Sequence, residues 1–248
     1  MKLFFLTFLF FFLVTDCSNE DLIYTQQNFQ KRLLINKATD STFVSVNIPV
    51  FENDNIIADS INKKVFKIAK EIVYFDDQPI SSLDYNLLLT TFINSYQQFI
   101  KDFPDYHFPW EITLNGKVTY QSESIVCIEI KYYTFTGGAH GNGGFRAILC
   151  DTKTGKMIPN NALFINSKKF KSYAEKKFRL KYNIPLQKSI NSTGLQFEDE
   201  KFQLPQNIFY TDKGLLLYYN QYEIASYADG PKELFLPIDE VSDYLKFK

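Results

Sequence analysis

Histidine is almost missing from this chain: there are two in 248 residues, His107 and His140. Neither stands beside a second ligand at a metal-binding interval, and no HExxH, paired CxxC or carboxylate–histidine cluster occurs. No metal site and no cofactor are therefore expected. Positive charge is not in excess either: 27 Lys and Arg against 28 Asp and Glu leave a net charge of −1. No basic face stands out, which argues against nucleic-acid binding through phosphates. Three cysteines are too few for a disulfide framework in a chain of this length. Cys127 and Cys150 read equally well as a bridge or as two small buried hydrophobes. The one long apolar run, Leu3 to Val14, falls short of the roughly 20 residues that a membrane-spanning helix needs.

What is present begins with that run. Lys2, the apolar stretch and a short polar exit make residues 1–16 a secretory signal peptide, to be excluded from the fold. The exit Val14-Thr15-Asp16-Cys17 resembles a lipoprotein processing box, with Asp16 standing where a small residue is the rule. It makes Cys17 a candidate for lipidation and membrane attachment. Ser18-Asn19-Glu20-Asp21 is similar to the acidic tether of some bacterial surface lipoproteins, so the expected location is a bacterial cell envelope. The mature chain keeps most of the 25 Phe and 16 Tyr, enough apolar matter for one domain or for two small ones that share a core.

Residues 17–40 are polar without periodicity and read as the tether. In "FVSVNIPVF", Val44, Val46, Ile48 and Val50 alternate as on a half-buried strand. Asp54 is a cap for a helix with Ile57, Ile61, Val65, Ile68 and Ile72 on one stripe. A second helix starts near Ser81 or Ser82, carries Leu88, Phe92, Tyr96, Phe99 and Phe103, and stops at Pro104. The period then falls to two: "WEITLNG", "KVTYQSE" and "SIVCIEIKYYTFT" read as an antiparallel meander, with Asn115-Gly116 as its first tight turn. "GGAHGNGG" makes a wide hairpin loop before the strand "FRAILCDTKTGK". A third helix spans 167–181 with Phe170, Ala174 and Phe178 on one face. The strands "NIFYT" and "LLLYYNQYEIA" follow, and "KELFLPIDEVSDYLKFK" closes the chain as a strand and a short helix. Helices segregated from antiparallel runs give an α+β fold, an antiparallel sheet with helices packed on it.

The glycines of "GGAHGNGG" do not form a phosphate cradle, since GxxxxGK[ST] is missing and a strand rather than a helix follows. Ser60-Ile61-Asn62-Lys63 matches SxxK and Lys153-Thr154-Gly155 matches KTG, two marks of penicillin-binding enzymes, but no SDN-like triplet lies between them. A hydrolase built on Ser60, Lys63 and Lys153 is the weakest reading. Tyr132, Tyr133, Tyr218, Tyr219, Tyr222 and Tyr227 lie in or beside strands, where one of each adjacent pair faces solvent. Exposed tyrosines serve protein interfaces and stack on sugars.

In order, "YYTFTGGAHGNGG", "CDTKTGKMIPNNALF" and "GLLLYYNQYEIASYADGPKELFLPIDEVSDYL" resemble the RsiV-like family, the extracellular domain of lysozyme-sensing anti-sigma factors. The resemblance implies two intimately joined subdomains, here 41–140 and 141–248, and a non-catalytic domain that binds a lysozyme-like protein. In other relatives the first half precedes a polysaccharide deacetylase, which implies a link to the cell wall and a glycan ligand as the alternative. Only Met1 and Lys2 precede the apolar run, so an anti-sigma design is not expected; nor is a deacetylase, for which the chain has neither room nor a histidine motif. The candidate ligand residues are Tyr133, Phe135, His140, Asn142, Tyr227 and Asp229. "YEIASYADGP" reads chiefly as scaffold, with Tyr222 anchoring a strand and Asp229-Gly230-Pro231 reversing the chain.

Overall fold

The computed structural model describes residues 22–35, 40–52, 56–75, 80 and 83–248. The signal peptide, Cys17, Asp54, Ser81 and Ser82 lie outside these residues. A five-stranded sheet contains β1 (Tyr24–Leu34), β2 (Ser41–Phe51), β3 (Glu111–Gln121), β4 (Val126–Phe135) and β5 (Asn142–Cys150) in that spatial order. A second sheet holds β6 (Asn207–Thr211), β7 (Gly214–Tyr219) and β8 (Lys232–Pro237). The helices are α1 (Ile56–Val73), α2 (Tyr85–Asp102), α3 (Ser167–Lys181) and the single turn α4 (Ile238–Val241). The fold is mixed α+β, as the hydrophobic periods predict, in two subdomains, as the family resemblance implies.

The first sheet is a wall between two cores. Strand alternation sends Val126, Ile128, Ile130, Ile148 and Cys150 to the side of α1 and α2, where they meet Val44, Ile61, Leu88 and Phe92. Cys127 and Leu149 go to the other side, against Phe170, Phe178, Phe209 and Leu217. The two thiols thus lie on opposite faces of the sheet and are free. By the same alternation β5, assigned from sequence to the second unit, is bonded into the first sheet along its length while Leu149 packs into the second core.

Three sequence expectations change. Residues 24–34, expected in the tether, form an edge strand antiparallel to β2. Its pattern is faint because Lys31 stands where the helix-facing side wants an apolar group; its Nζ donates to Thr90 Oγ1 of α2 at 2.6 Å. Asn115-Gly116 is no turn, since β3 runs straight through it for 11 residues. A Cβ on Gly116 would sit 3.1 Å from Pro49 Cδ and 3.3 Å from Ile48 Cγ2, so the residue serves close strand packing instead. Finally, β2 and β3 are parallel, because α1 and α2 together form the crossover that returns the chain in the same direction.

Helix ends follow local chemistry. Asp84 Oδ1 accepts from Leu87 N at 2.9 Å and Asn166 Oδ1 from Lys169 N at 3.0 Å, capping α2 and α3. Helix α3 occupies the predicted span and buries Phe170, Ala174 and Phe178 completely. Two outward N–H groups of edge strand β5 are also occupied. Phe145 N donates to Asn220 Oδ1 at 2.8 Å and Ala147 N to Asn207 Oδ1 at 2.9 Å, so two amides of the second unit seal the edge of the first sheet.

Candidate functional site

Loop 136–141 joins β4 to β5 and is held by tyrosines. Gly141 lies under the ring of Tyr133, so close that a Cβ there would stand 2.4 Å from ring atoms. Only glycine lets the loop backbone approach so near. Tyr227, from the second unit, reaches across and donates its hydroxyl to Gly141 O at 3.4 Å. Its ring stacks on His140, with centroids 4.1 Å apart and planes 20° from parallel. His140 Nδ1 lies 2.9 Å from the same Gly141 carbonyl. His140, Tyr133 and Tyr227 therefore meet, though Tyr227 is distant in sequence from the other two.

Tyr222 extends this surface. Its ring lies 5.7 Å from Tyr227 and is 63% exposed. Its φ of +65° is left-handed backbone, which costs a bulky residue roughly 1 kcal/mol. The neighbouring Glu223 imposes it: one carboxylate oxygen accepts from Gln206 N at 2.8 Å and the other from Asn220 N at 2.9 Å. Burial raises the Glu223 carboxyl above its usual value, while those two N–H donors and Arg146 pull it back. β7 stops at Tyr219, so Tyr222 ends up outside the strand it was expected to anchor.

The other candidates divide. Phe135 shares a face of β4 with Tyr133, and both line a shallow cleft of about 300 Å³ with Arg32, Phe43 and Glu111. Asn142 pairs with Thr134, on the opposite face of the strand by alternation, so it does not join Tyr133 and Phe135. Asp229 is engaged in its own turn, accepting from Ser226 Oγ at 2.6 Å. Ser60 and Gly155 do come together: Ser60 Oγ donates to Gly155 O at 3.0 Å and accepts from Lys64 Nζ at 2.8 Å. The partner is Lys64 rather than Lys63, and the hydroxyl proton already serves a carbonyl, so the contact pins α1 to the 151–155 turn. Among the described residues no group of three or more His, Cys, Asp or Glu could hold a metal ion, and no helix is long and apolar enough to cross a membrane.

A groove of about 590 Å³ escaped the sequence reading. Phe75, Phe99 and Trp110 line it together with Asn94, Ser95, Gln98 and Asp102 of α2. Gln98 Nε2 donates to Asp102 Oδ1 at 3.1 Å. The chain has one tryptophan, and that rarity was the available signal. The helical stripe made Phe99 look like core, and nothing in the periodicity marks the polar residues one step round the helix.

Residues 35–143 match the family model described as deacetylase PdaC, and residues 161–239 the one described as a protein of unknown function, DUF3298. A DUF3298 family protein from Pseudomonas aeruginosa superposes with a TM-score of 0.63 at 20% identity, over 92% of this chain and 96% of that one. A DUF3298 member from Bacteroides fragilis gives 0.66 at 16% identity, over 90% and 93%. At such identities the likeness is one of fold. No curated protein sequence matches the chain. The chain thus carries a PdaC-type segment followed by a DUF3298-type segment, on a fold that it shares with solved DUF3298 proteins.

Proposed function

We propose that this is an exported, non-catalytic recognition domain, lipid-anchored to a bacterial envelope through Cys17, that binds a protein such as a lysozyme-like cell-wall hydrolase. The observation that carries the reading is the His140–Tyr227 stack, which builds one surface from loops of both segments. Beside it Tyr222 is held exposed at a backbone cost, and large exposed tyrosines are typical anchors of protein interfaces. The RsiV-like resemblance supports the choice of ligand, because "GGAHG" and "YEIASY", the motifs that carry it, supply His140, Tyr222 and Tyr227.

The test is retention of hen-type and goose-type lysozymes by the immobilised protein, with affinities for the native chain and for Tyr222→Ala and Tyr227→Ala. A saturable complex weakened at least about tenfold by either change is expected of hot-spot residues. Absence of retention, or affinities unmoved by both changes, removes the reading.

A glycan ligand is the second reading, and the Trp110 groove favours it. Aromatic faces beside amides and a carboxylate are the groups that take a sugar ring and its hydroxyls. Peptidoglycan fragments would then shift the fluorescence of the only tryptophan, and Gln98→Ala would weaken the effect. An unchanged spectrum at millimolar fragment rules this reading out.

A further inference from the structure

Contrary to the expectation that no basic face stands out, helix α3 carries seven cations against one acid, which the even overall balance of a chain of net charge −1 conceals. Four of the seven are engaged: Lys177 with Glu240 at 2.7 Å, Arg179 with Glu175 at 2.9 Å, Lys181 with Glu233 at 3.6 Å, and Lys171 with Gln203 at 2.6 Å. Lys168, Lys169 and Lys176 have no acidic partner among the described residues. All three line a single shallow groove of about 390 Å³, floored by Tyr173 and Tyr244, whose rings stack at 5.1 Å.

The apolar residues beside that groove are placed unusually. By the 3.6-residue period, Lys169, Ser172, Lys176 and Leu180 share the face opposite the buried Phe170, Ala174 and Phe178. Leu180 is 75% exposed, and Ile165, just before the cap residue, is 68% exposed. The outermost face of α3 therefore reads cationic, cationic, apolar from Lys169 to Leu180 over about 16 Å, with Ile165 exposed just ahead of the helix. A soluble anion would satisfy the lysines and leave both ends wet. A bilayer surface satisfies all of them, with headgroup phosphates on the lysines and the acyl boundary receiving Ile165 and Leu180.

We propose that α3 is a peripheral docking face that lies flat on a membrane of anionic phospholipid. The inference is independent of which ligand the His140 loop takes. With α3 on the bilayer, the orientation of the whole domain is set by a second contact besides any N-terminal anchor.

The experiment is partition of the full chain onto vesicles of phosphatidylcholine alone and of phosphatidylcholine mixed with phosphatidylglycerol. Any N-terminal anchor is common to both measurements, so the ratio of the two partition coefficients reads the charged face. Three lysines predict a ratio of about a hundredfold at low salt, declining as salt is raised. The triple variant Lys168→Glu, Lys169→Glu, Lys176→Glu should bring it to about one with unchanged thermal unfolding, since all three side chains are exposed. The pair Ile165→Ser, Leu180→Ser should weaken binding to the mixed vesicles about tenfold and keep the salt dependence. A ratio near one for the native chain, or one that survives charge reversal, overturns the proposal. So does binding that ignores Ile165→Ser, Leu180→Ser and is displaced by soluble polyphosphate, which would assign the lysines to a phosphate polymer.

Discussion

The side-chain amide of Asn220 grips Phe145 by both of its backbone groups, accepting from the N–H at 2.8 Å and donating to the carbonyl at 3.0 Å. An amide in this position imitates one more strand beside β5. Asn220→Ala removes both bonds and strands a half-buried N–H, a loss of about 2–3 kcal/mol. Urea unfolding measures it, and a cost below about 0.5 kcal/mol would mean that the edge is held by other contacts.

The loop at His140 depends on Tyr227 in two separable ways. Tyr227→Phe deletes one long hydrogen bond and keeps the stack. Tyr227→Ala deletes both. Amide exchange in residues 136–141 should therefore quicken at least about tenfold in the alanine variant and change little in the phenylalanine one, with global stability altered by under about 1 kcal/mol. Equal quickening in both would show that the hydroxyl, not the ring, fixes the loop.

Burial pushes the Cys127 thiol up to about 11 and the Cys150 thiol up to about 12. Thiolate is the reactive form, so neither cysteine should react with a disulfide reagent at pH 8 in the native protein. Both should react once the chain is unfolded without reductant. Two thiols missing from the unfolded count would reveal a bridge.

Glu223 gives a pH dependence with a definite sign. Its carboxyl is raised above the ordinary value of 4.5, first by desolvation. The folded state thus holds this proton more tightly than the unfolded chain. Its contribution to stability is present in full below about 4.5 and is lost as pH climbs through the raised value. The unfolding free energy of the native chain relative to Glu223→Gln should fall over that interval, as measured by urea titrations at stepped pH. A rise would mean that the donors from Gln206 and Asn220 dominate over burial.

The second core turns on Phe170, which is fully buried and stacked on Phe164 at 3.7 Å. Phe170→Ala should cost about 3–5 kcal/mol, seen as a fall in melting temperature. A cost under about 1 kcal/mol would show that the site collapses around the cavity.

Legibility in the sequence tracks how completely an element is buried. Helix α3 could be read because Phe170, Ala174 and Phe178 repeat cleanly on one face, and the structure adds Asn166 as its cap. β1 was hidden because an edge strand leaves most side chains wet and Lys31 interrupts its inner row. Asn115-Gly116 misled because local turn preference was overruled by strand packing on Pro49. At the candidate site, His140, Tyr133 and Tyr227 were each nameable from motif and residue type. Their meeting was not, since it depends on two loops brought together by the tertiary fold. The Trp110 groove and the three unpaired lysines of α3 were equally out of reach, because only the fold decides which polar groups lack a neighbour.

Adjacent residues Val126, Cys127 and Ile128 feed alternate cores, and all three are completely buried. A slip of β4 by a single position would exchange the contents of both interiors at once. Register in the middle of this protein is therefore checked from two directions. The two segments, sharing this wall, are expected to unfold as one cooperative body.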